Sequence, residues 1–248
     1  HQRRERRRDM TVEQGDSVRP WRGQETERPL PEAEVPASYP RTHRLLVFGG
    51  TFDPVHNGHL RLARQMLAKD WTDEVMFVPA LRSPLKQNVA VSSALDRLEM
   101  LKLAVQGQDG FSYSDIELQR RGAVSFTFDT LNTLSRIYPD YEIGLLIGMD
   151  SLRSLNLWHR AQELVQRFQL VVYPRPGVEP PLNVHLSEHF GYRNAKRLAT
   201  SILPEEDLEL YAESGTAIRE GVRAGRDMSD AVPPAVWQYI REHKLYLE

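Results

Sequence analysis

The chain has 248 residues, enough for one sizeable α/β domain with its own hydrophobic core. Hydrophobic residues make up 40% and charged ones 27%, with a formal net charge of −2, so the overall balance does not point to nucleic acid or an acidic membrane as partner. Cysteine is absent, which excludes disulfides, thiolate nucleophiles and cysteine metal sites and fits a reducing, cytoplasmic setting.

Residues 1–42 differ from the rest. Arg3, Arg4, Arg6, Arg7 and Arg8 cluster, Pro20, Pro29, Pro31, Pro36 and Pro40 punctuate a polar stretch, and few apolar side chains offset the entropy of ordering it. The segment reads as a mostly disordered extension, either a solvated tail or a basic arm for a partner. Residues 43–248 read as a single domain. No apolar run approaches the roughly 20 residues that cross a bilayer, and no secretory signal is expected.

Leu45-Leu46-Val47-Phe48 is a continuous apolar run of the kind found in a buried parallel strand. Gly49-Gly50 is expected to turn the backbone sharply and leave room for a ligand near the main chain. Asp53-Pro54 signals a further turn, Asn57 is placed as a helix N-cap, and a helical rhythm runs on from Leu60. His56 and His59 stand three residues apart at the start of that helix. Free amides and the positive end of the helix dipole hold anions there, which suggests a nucleotide phosphate site.

Glu74 to Pro79 reads as a second strand ended by proline, and Ala80 to Ser92 as a polar loop carrying Arg82, Pro84 and Lys86. A helix is expected over Ser93 to Gln106, burying Leu95, Leu98, Met100, Leu101 and Val105. Phe111 to Leu118 alternates as a strand, and Thr127 to Ile137 is helical, stopped by Pro139. Glu142 to Ile147 is another buried strand, running into Gly148-Met149-Asp150. A helix from about Trp158 to Arg167 and a strand from Phe168 to Tyr173 complete the alternation. Beyond Pro174 the pattern weakens: Arg175 to Pro181 is a loop, Val184 to Leu186 a candidate short strand, and Asn194 to Leu203 has no clear assignment. Ser214 to Arg219 opens a helix reaching about Ala224, and a last helix runs from Pro234 to His243.

Repeated β-then-α at this spacing argues for a doubly wound parallel sheet with a small C-terminal helical portion. Ligands of such sheets sit beyond the carboxyl ends of the strands. That rule gathers Gly49-Gly50, Pro79, Gly148-Met149-Asp150 and Pro174 around one crevice. Neither the dinucleotide glycine pattern nor a GxxxxGK phosphate loop follows the first strand, so the site is of another kind. His56 and His59 also suit a metal in principle, but zinc helices favour a spacing of four and no third ligand is evident. Ser214 or Thr216 can cap the helix that follows, with Arg219 adding charge one turn later. Asp150 reads equally as a helix N-cap and as a polar contact for a ligand, and a lone helical tryptophan such as Trp158 is ordinarily core packing.

Gly49-Gly50-Thr51-Phe52-Asp53-Pro54-Val55-His56-Asn57-Gly58-His59-Leu60 resembles the signature of the bacterial nicotinate-mononucleotide adenylyltransferases, nucleotidyltransferases with a T/HxGH motif. Further segments carry the same resemblance in order. Ser125 to Leu131 is similar to the family's SYTIDTL, Gly148 to Leu152 with Leu157 to Arg160 to its GxDxL and WHR block, and Val171 to Gly177 to its strand ending in RPG. Ser214 to Arg219 is similar to ISSTxIR, and Val232 to Tyr246 to the closing helix. The likeness covers roughly residues 44–248 and leaves out the tail.

The resemblance implies a Rossmann-like fold and adenylyl transfer from ATP to nicotinate mononucleotide, giving nicotinate adenine dinucleotide and pyrophosphate. It implies that His56 and His59 donate to the ATP phosphates while Thr216 and Arg219 hold the β and γ phosphates, with His56, His59 and Arg219 carrying catalysis. Gly49, Gly50, Thr51, Phe52, Lys86, Gly148, Asp150 and Ser214 join the ATP site on the same grounds, with Asp150 toward the ribose. Trp158 would stack on the nicotinate ring and Thr127 would help read its carboxylate. Mg²⁺ is expected from the chemistry, held mainly by phosphate oxygens and water. Two departures stand out. Leu85 occupies a position where the family often has histidine, and Glu213 and Gly215 stand where it commonly has isoleucine and serine, so a second serine hydroxyl is lost. A related enzyme with another acceptor, nicotinamide mononucleotide or phosphopantetheine, is the sibling reading. A nucleotide- or RNA-binding module using the arginine-rich arm is the reading from a different class. A class I aminoacyl-tRNA synthetase is set aside, since the chain is short for one and lacks a lysine-rich KMSKS loop.

Overall fold

The computed structural model describes residues 42–81, 92–120 and 126–248. The N-terminal extension and Lys86 with its loop lie outside the described residues. Five strands, β1 (His43–Gly50), β2 (Glu74–Pro79), β3 (Phe111–Tyr113), β4 (Tyr141–Gly148) and β5 (Gln169–Tyr173), form an all-parallel sheet in the order β3-β2-β1-β4-β5. This is the doubly wound arrangement the alternation predicts. The order reverses between β1 and β4, so a crevice opens beyond their carboxyl ends.

Strands β1, β2, β4 and β5 feed two cores, because successive side chains leave opposite faces of the sheet. Leu46, Phe48, Val75 and Phe77 face one side, where they meet α1 (Asn57–Ala68), α2 (Ala94–Val105), α8 (Gly215–Arg223) and α9 (Pro234–Glu242). Leu45, Val47, Met76 and Val78 face the other. There they pack on α3 (Thr127–Ile137), α4 (Met149–Ser154), α5 (Ala161–Arg167), α6 (Asn183–Phe190) and α7 (Tyr192–Thr200). The last two helices of the chain therefore complete one face of the sheet.

Several local expectations are corrected. Gly49 and Gly50 are the last residues of β1, and the chain turns after them, at Phe52, whose φ is +49°. The first helix is capped by His56 and not by Asn57. Phe111 to Leu118 is a strand only to Tyr113. The Phe77 carbonyl accepts the last ladder bond from Ser114 N–H at 2.9 Å, and two residues on Pro79 faces the same neighbour without an N–H to offer.

In α2 the buried stripe is Arg97, Met100, Leu101, Ala104 and Val105, while Leu95 lies off it and is 66% exposed. Val184 to Leu186 is helical: Leu186 and Phe190 are buried one turn apart, whereas Val184, which a strand would put beside Leu186, is exposed. The unassigned stretch from Asn194 falls in α7. The helix expected from Trp158 starts at Ala161, after Arg160 at φ +52°, and the short helix α4 before it carries Asp150.

Candidate active site

The turn between β1 and α1 is held by groups from remote parts of the chain. Phe52, in its left-handed conformation, drives its ring into the core edge-on to Phe48, Phe77 and His59. The Arg97 guanidinium is buried and donates to the carbonyls of Thr51 at 2.9 Å, Ala80 at 2.6 Å and Ser92 at 3.1 Å. The buried Asp53 carboxylate accepts from Tyr246 O–H at 2.6 Å and Ser92 N–H at 3.0 Å. Arg219 donates to the Asp53 carbonyl at 2.8 Å. Arg97 was not foreseen as a site residue, because an arginine inside a helical pattern is ordinarily a solvated one.

His56 and His59 form a reciprocal cap on α1. His59 N–H donates to His56 Nδ1 at 3.3 Å, and His56 N–H donates to His59 Nδ1 at 3.1 Å. This is the geometry of a capping box, with imidazoles in place of the usual hydroxyl and carboxylate. Since both Nδ1 atoms accept, each neutral ring carries its proton on Nε2. The rings stack with centroids 3.6 Å apart. Burial lowers His56 to about 4, with Glu213 nearby opposing the shift and Arg61 adding to it, and burial beside His56 pushes His59 well below the usual range. At neutral pH the pair therefore offers two uncharged Nε2–H donors at a helix start.

The second helix start is α8. Ser214, not Thr216, caps it, accepting from Ala217 N–H at 3.0 Å. Thr216 is exposed, and its hydroxyl accepts from Arg219 Nη2 at 3.3 Å. Gly215 has a steric reason: a Cβ there would stand 3.0 Å from Arg219 Nη1 and 3.3 Å from the Asp53 carbonyl oxygen. Glycine leaves space for the Arg219–Asp53 contact that ties α8 to the turn before α1.

A cavity of about 420 Å³ opens beyond the carboxyl ends of β1 and β4. It brings together Gly49, Gly50, Thr51, Gly148 and Asp150 with Thr127 and Trp158, residues from four separate elements. Ala80 and Tyr173 line it where Pro79 and Pro174 were expected. Asp150 is not a helix cap, since Gly148 holds that position; its carboxylate is ion-paired with Arg175. Trp158 is half-buried, packs on the core and still lines the cavity.

His56, His59, Ser214, Thr216 and Arg219 do not line this cavity and cluster instead around the 51–56 turn. Tyr173 bridges the two zones: it lines the cavity, and its ring lies 6.4 Å from that of Tyr211, which in turn lies 5.6 Å from His56. A Cβ on Gly58 would stand 2.4 Å from that ring, so this glycine is needed for Tyr211 to sit there. Glu117 and Thr130 are further lining residues that sequence reasoning missed. Glu117 is buried, accepts from Thr130 O–H at 2.7 Å, and burial raises its carboxyl above the ordinary range. Its position depends on the turn after Tyr113, which an unbroken strand would not make.

Among the described residues no group of three or more His, Cys, Asp or Glu side chains could hold a metal ion, and no helix is long and apolar enough to cross a membrane.

Residues 47–221 match the cytidylyltransferase-like family. A protein of Herpetosiphon aurantiacus named probable nicotinate-nucleotide adenylyltransferase is 40% identical over 207 residues, 82% of this chain and 98% of the relative. One of the same name from Dehalococcoides mccartyi is 38% identical over 201 residues, covering 81% and 95%. Among solved structures, the Plasmodium falciparum nicotinic acid mononucleotide adenylyltransferase complexed with NaAD superposes with a TM-score of 0.61 at 16% identity, covering 82% of this chain and 97% of that one. At that identity the superposition speaks for the fold.

Proposed function

This chain belongs to the nicotinate-nucleotide adenylyltransferases of the cytidylyltransferase-like family, and from that premise we infer that it transfers the adenylyl group of ATP to nicotinate mononucleotide. The products are nicotinate adenine dinucleotide and pyrophosphate. What carries the reading is identity of 40% extending over 98% of a relative of that name.

A phosphate oxygen of the mononucleotide attacks the α-phosphorus of ATP in line, and the bond to the β-phosphate breaks as the new P–O bond forms. Such a reaction depends on positioning and charge stabilisation. His56 and His59 donate Nε2–H bonds to the reacting phosphate. Because they are neutral and capped, they need no proton transfer and little rearrangement to do so. Thr216 and Arg219 hold the β and γ phosphates that leave, with Ser214 setting the helix start and Lys86 as a further phosphate contact. The cavity takes the mononucleotide beside the adenosine end of ATP, with Trp158 stacking on the nicotinate ring and Thr127 near its carboxylate. Gly49, Gly50, Thr51 and Gly148 let the ligand approach the backbone, Phe52 shapes the turn, and Asp150 faces the ribose. Mg²⁺ would enter as a partner of ATP, held by phosphate oxygens and water, and would offset charge on the phosphates. The donor set supports this: the Asp53 carboxylate is already taken by Tyr246 and Ser92, and Asp150 by Arg175. Cytoplasmic residence belongs to the same proposal, and fractionation of expressing cells tests it.

The deciding experiment supplies ATP and Mg²⁺ with nicotinate mononucleotide, nicotinamide mononucleotide or phosphopantetheine side by side and follows pyrophosphate. Release with the first acceptor at the highest kcat/KM is expected. Preference for either of the others would replace the substrate assignment, and ATP binding without turnover on any would remove the enzymatic one.

A further inference from the structure

The two helix starts come from segments more than 150 residues apart in sequence, yet the phosphate chain must be met by both at once. Each start is built locally. The His56/His59 box is internal to α1, and the Ser214 cap is internal to α8. Their relative placement needs links between the helices: Arg219 on the Asp53 carbonyl is one, and the run 209–213 supplies links to α1 itself. Gln65 on α1 pairs with the Glu209 backbone in both directions, donating to its carbonyl at 3.0 Å and accepting from its N–H at 2.7 Å. Tyr211 lies over Gly58. Arg61 forks onto Glu213, with Nη2–Oε1 at 3.0 Å and Nη1–Oε2 at 3.3 Å. Glu213 immediately precedes the Ser214 cap, and Arg61 stands two residues beyond His59.

We propose that the Arg61–Glu213 ion pair is a positioning device that sets the distance between the α1 and α8 phosphate-binding starts, and so the grip on the triphosphate of ATP. The proposal rests on the reading of these starts as the ATP phosphate site. The bidentate form supports it, since a forked guanidinium–carboxylate pair fixes orientation as well as distance. So does its isolation from the caps: neither side chain takes part in the cap hydrogen bonds of α1 or α8. The side chains are 33% and 18% exposed, so losing one partner leaves the other partly desolvated and costs some stability, and a positioning role is read in ATP affinity beyond that cost. It also accounts for a glutamate at position 213, which caps nothing and does not line the cavity. Arg61 and Glu213 touch no substrate and are positioning residues.

The test is a double-mutant cycle with R61M, E213Q and the combined variant. Steady-state kinetics are paired with calorimetric titration of Mg·ATP onto the free protein and with thermal melts. Each single variant is expected to raise the KM and Kd for ATP about tenfold, as small misplacements of binding groups do. The KM for nicotinate mononucleotide should stay within error, any fall in Tm should be small and no larger in the combined variant, and the combined variant should be no worse than either single one in ATP affinity. ATP affinity unchanged in both single variants, or effects that simply add in the combined one, would overturn the proposal. A uniform loss of kcat, both KM values and Tm would mark the pair as merely structural and overturn it too. If the wild-type chain binds ATP but turns over no acceptor, the adenylyl-transfer reading fails while the titration still decides the strut. If it binds no ATP, both fall.

Discussion

The two helix starts around the 51–56 turn are built on opposite plans. At α1 the capping groups are themselves the candidate phosphate donors: His56 is 2% exposed, stacked on His59, and both rings are spent on the backbone through Nδ1. At α8 the cap and the ligand groups are separate, with Ser214 closing the helix while Thr216 stands in solvent. The first start is largely buried and its rings are bonded within the cap, so it is shaped before any ligand arrives. The second keeps exposed donors that exchange water for phosphate. Reacting atoms need the first arrangement, because fixed dipoles cost no reorganisation during reaction; a leaving group that must depart is better served by the second.

The largest way to break this contrast is to remove what shapes the first start. Arg97→Met leaves the carbonyls of Thr51, Ala80 and Ser92 without their buried donor. A loss of roughly 3–5 kcal/mol is expected, as for breaking a buried charged network. Chemical denaturation measures it, and a variant as stable as wild type would show that the guanidinium is not what holds the turn.

His56→Asn separates the two roles of the α1 cap. Asparagine is a good N-cap, so the helix should persist, while the Nε2–H donor is gone. The kcat should fall about 10²-fold, the effect of losing one preorganised donor, with little change in the melting curve. Retained turnover in the folded variant would remove His56 from catalysis.

Acid sharpens the same comparison. The folded state holds His56 at about 4 against 6.5 for a free imidazole, so the unfolded chain takes up the proton first as pH falls. Stability tied to this ring is fully present above pH 6.5 and declines between 6.5 and 4, by about 3 kcal/mol in all. Urea midpoints at pH 7, 6 and 5 should fall progressively, and less steeply in His56→Asn. Equal slopes in the two proteins would mean that another group drives the acid loss.

Ser214→Ala gives the smallest expected change. It removes only the α8 cap bond, worth about 1 kcal/mol, and leaves Thr216 and Arg219 in place. A modest rise in the KM for ATP with unchanged kcat is expected from initial rates. A large fall in kcat would put Ser214 itself on the reacting phosphate.

Much of the fold was legible because it follows from periodicity. Glu74 to Pro79 and Thr127 to Ile137 keep the bounds that their apolar patterns and prolines indicate. The candidate site was legible as motifs, since Gly49, Gly50, Thr51, Thr127, Gly148, Asp150 and Trp158 do meet around one cavity. What escaped were residues whose role depends on distant partners. Arg97, Glu117 and Tyr211 look like ordinary surface or core positions until the fold sets them against the turn after β1, α3 and α1 respectively.

The sequence by itself determined that a strand, a turn and a helix carrying two imidazoles follow one another, because strand and helix periods and turn residues act over a few positions. Only the tertiary structure decided that those imidazoles cap each other, which fixes where their protons sit and keeps them neutral. It alone decided that Arg219, Arg97 and Tyr246 converge on the backbone and carboxylate of one turn. Hydrogen-bond direction and desolvation depend on three-dimensional neighbours, and neither is written in local spacing.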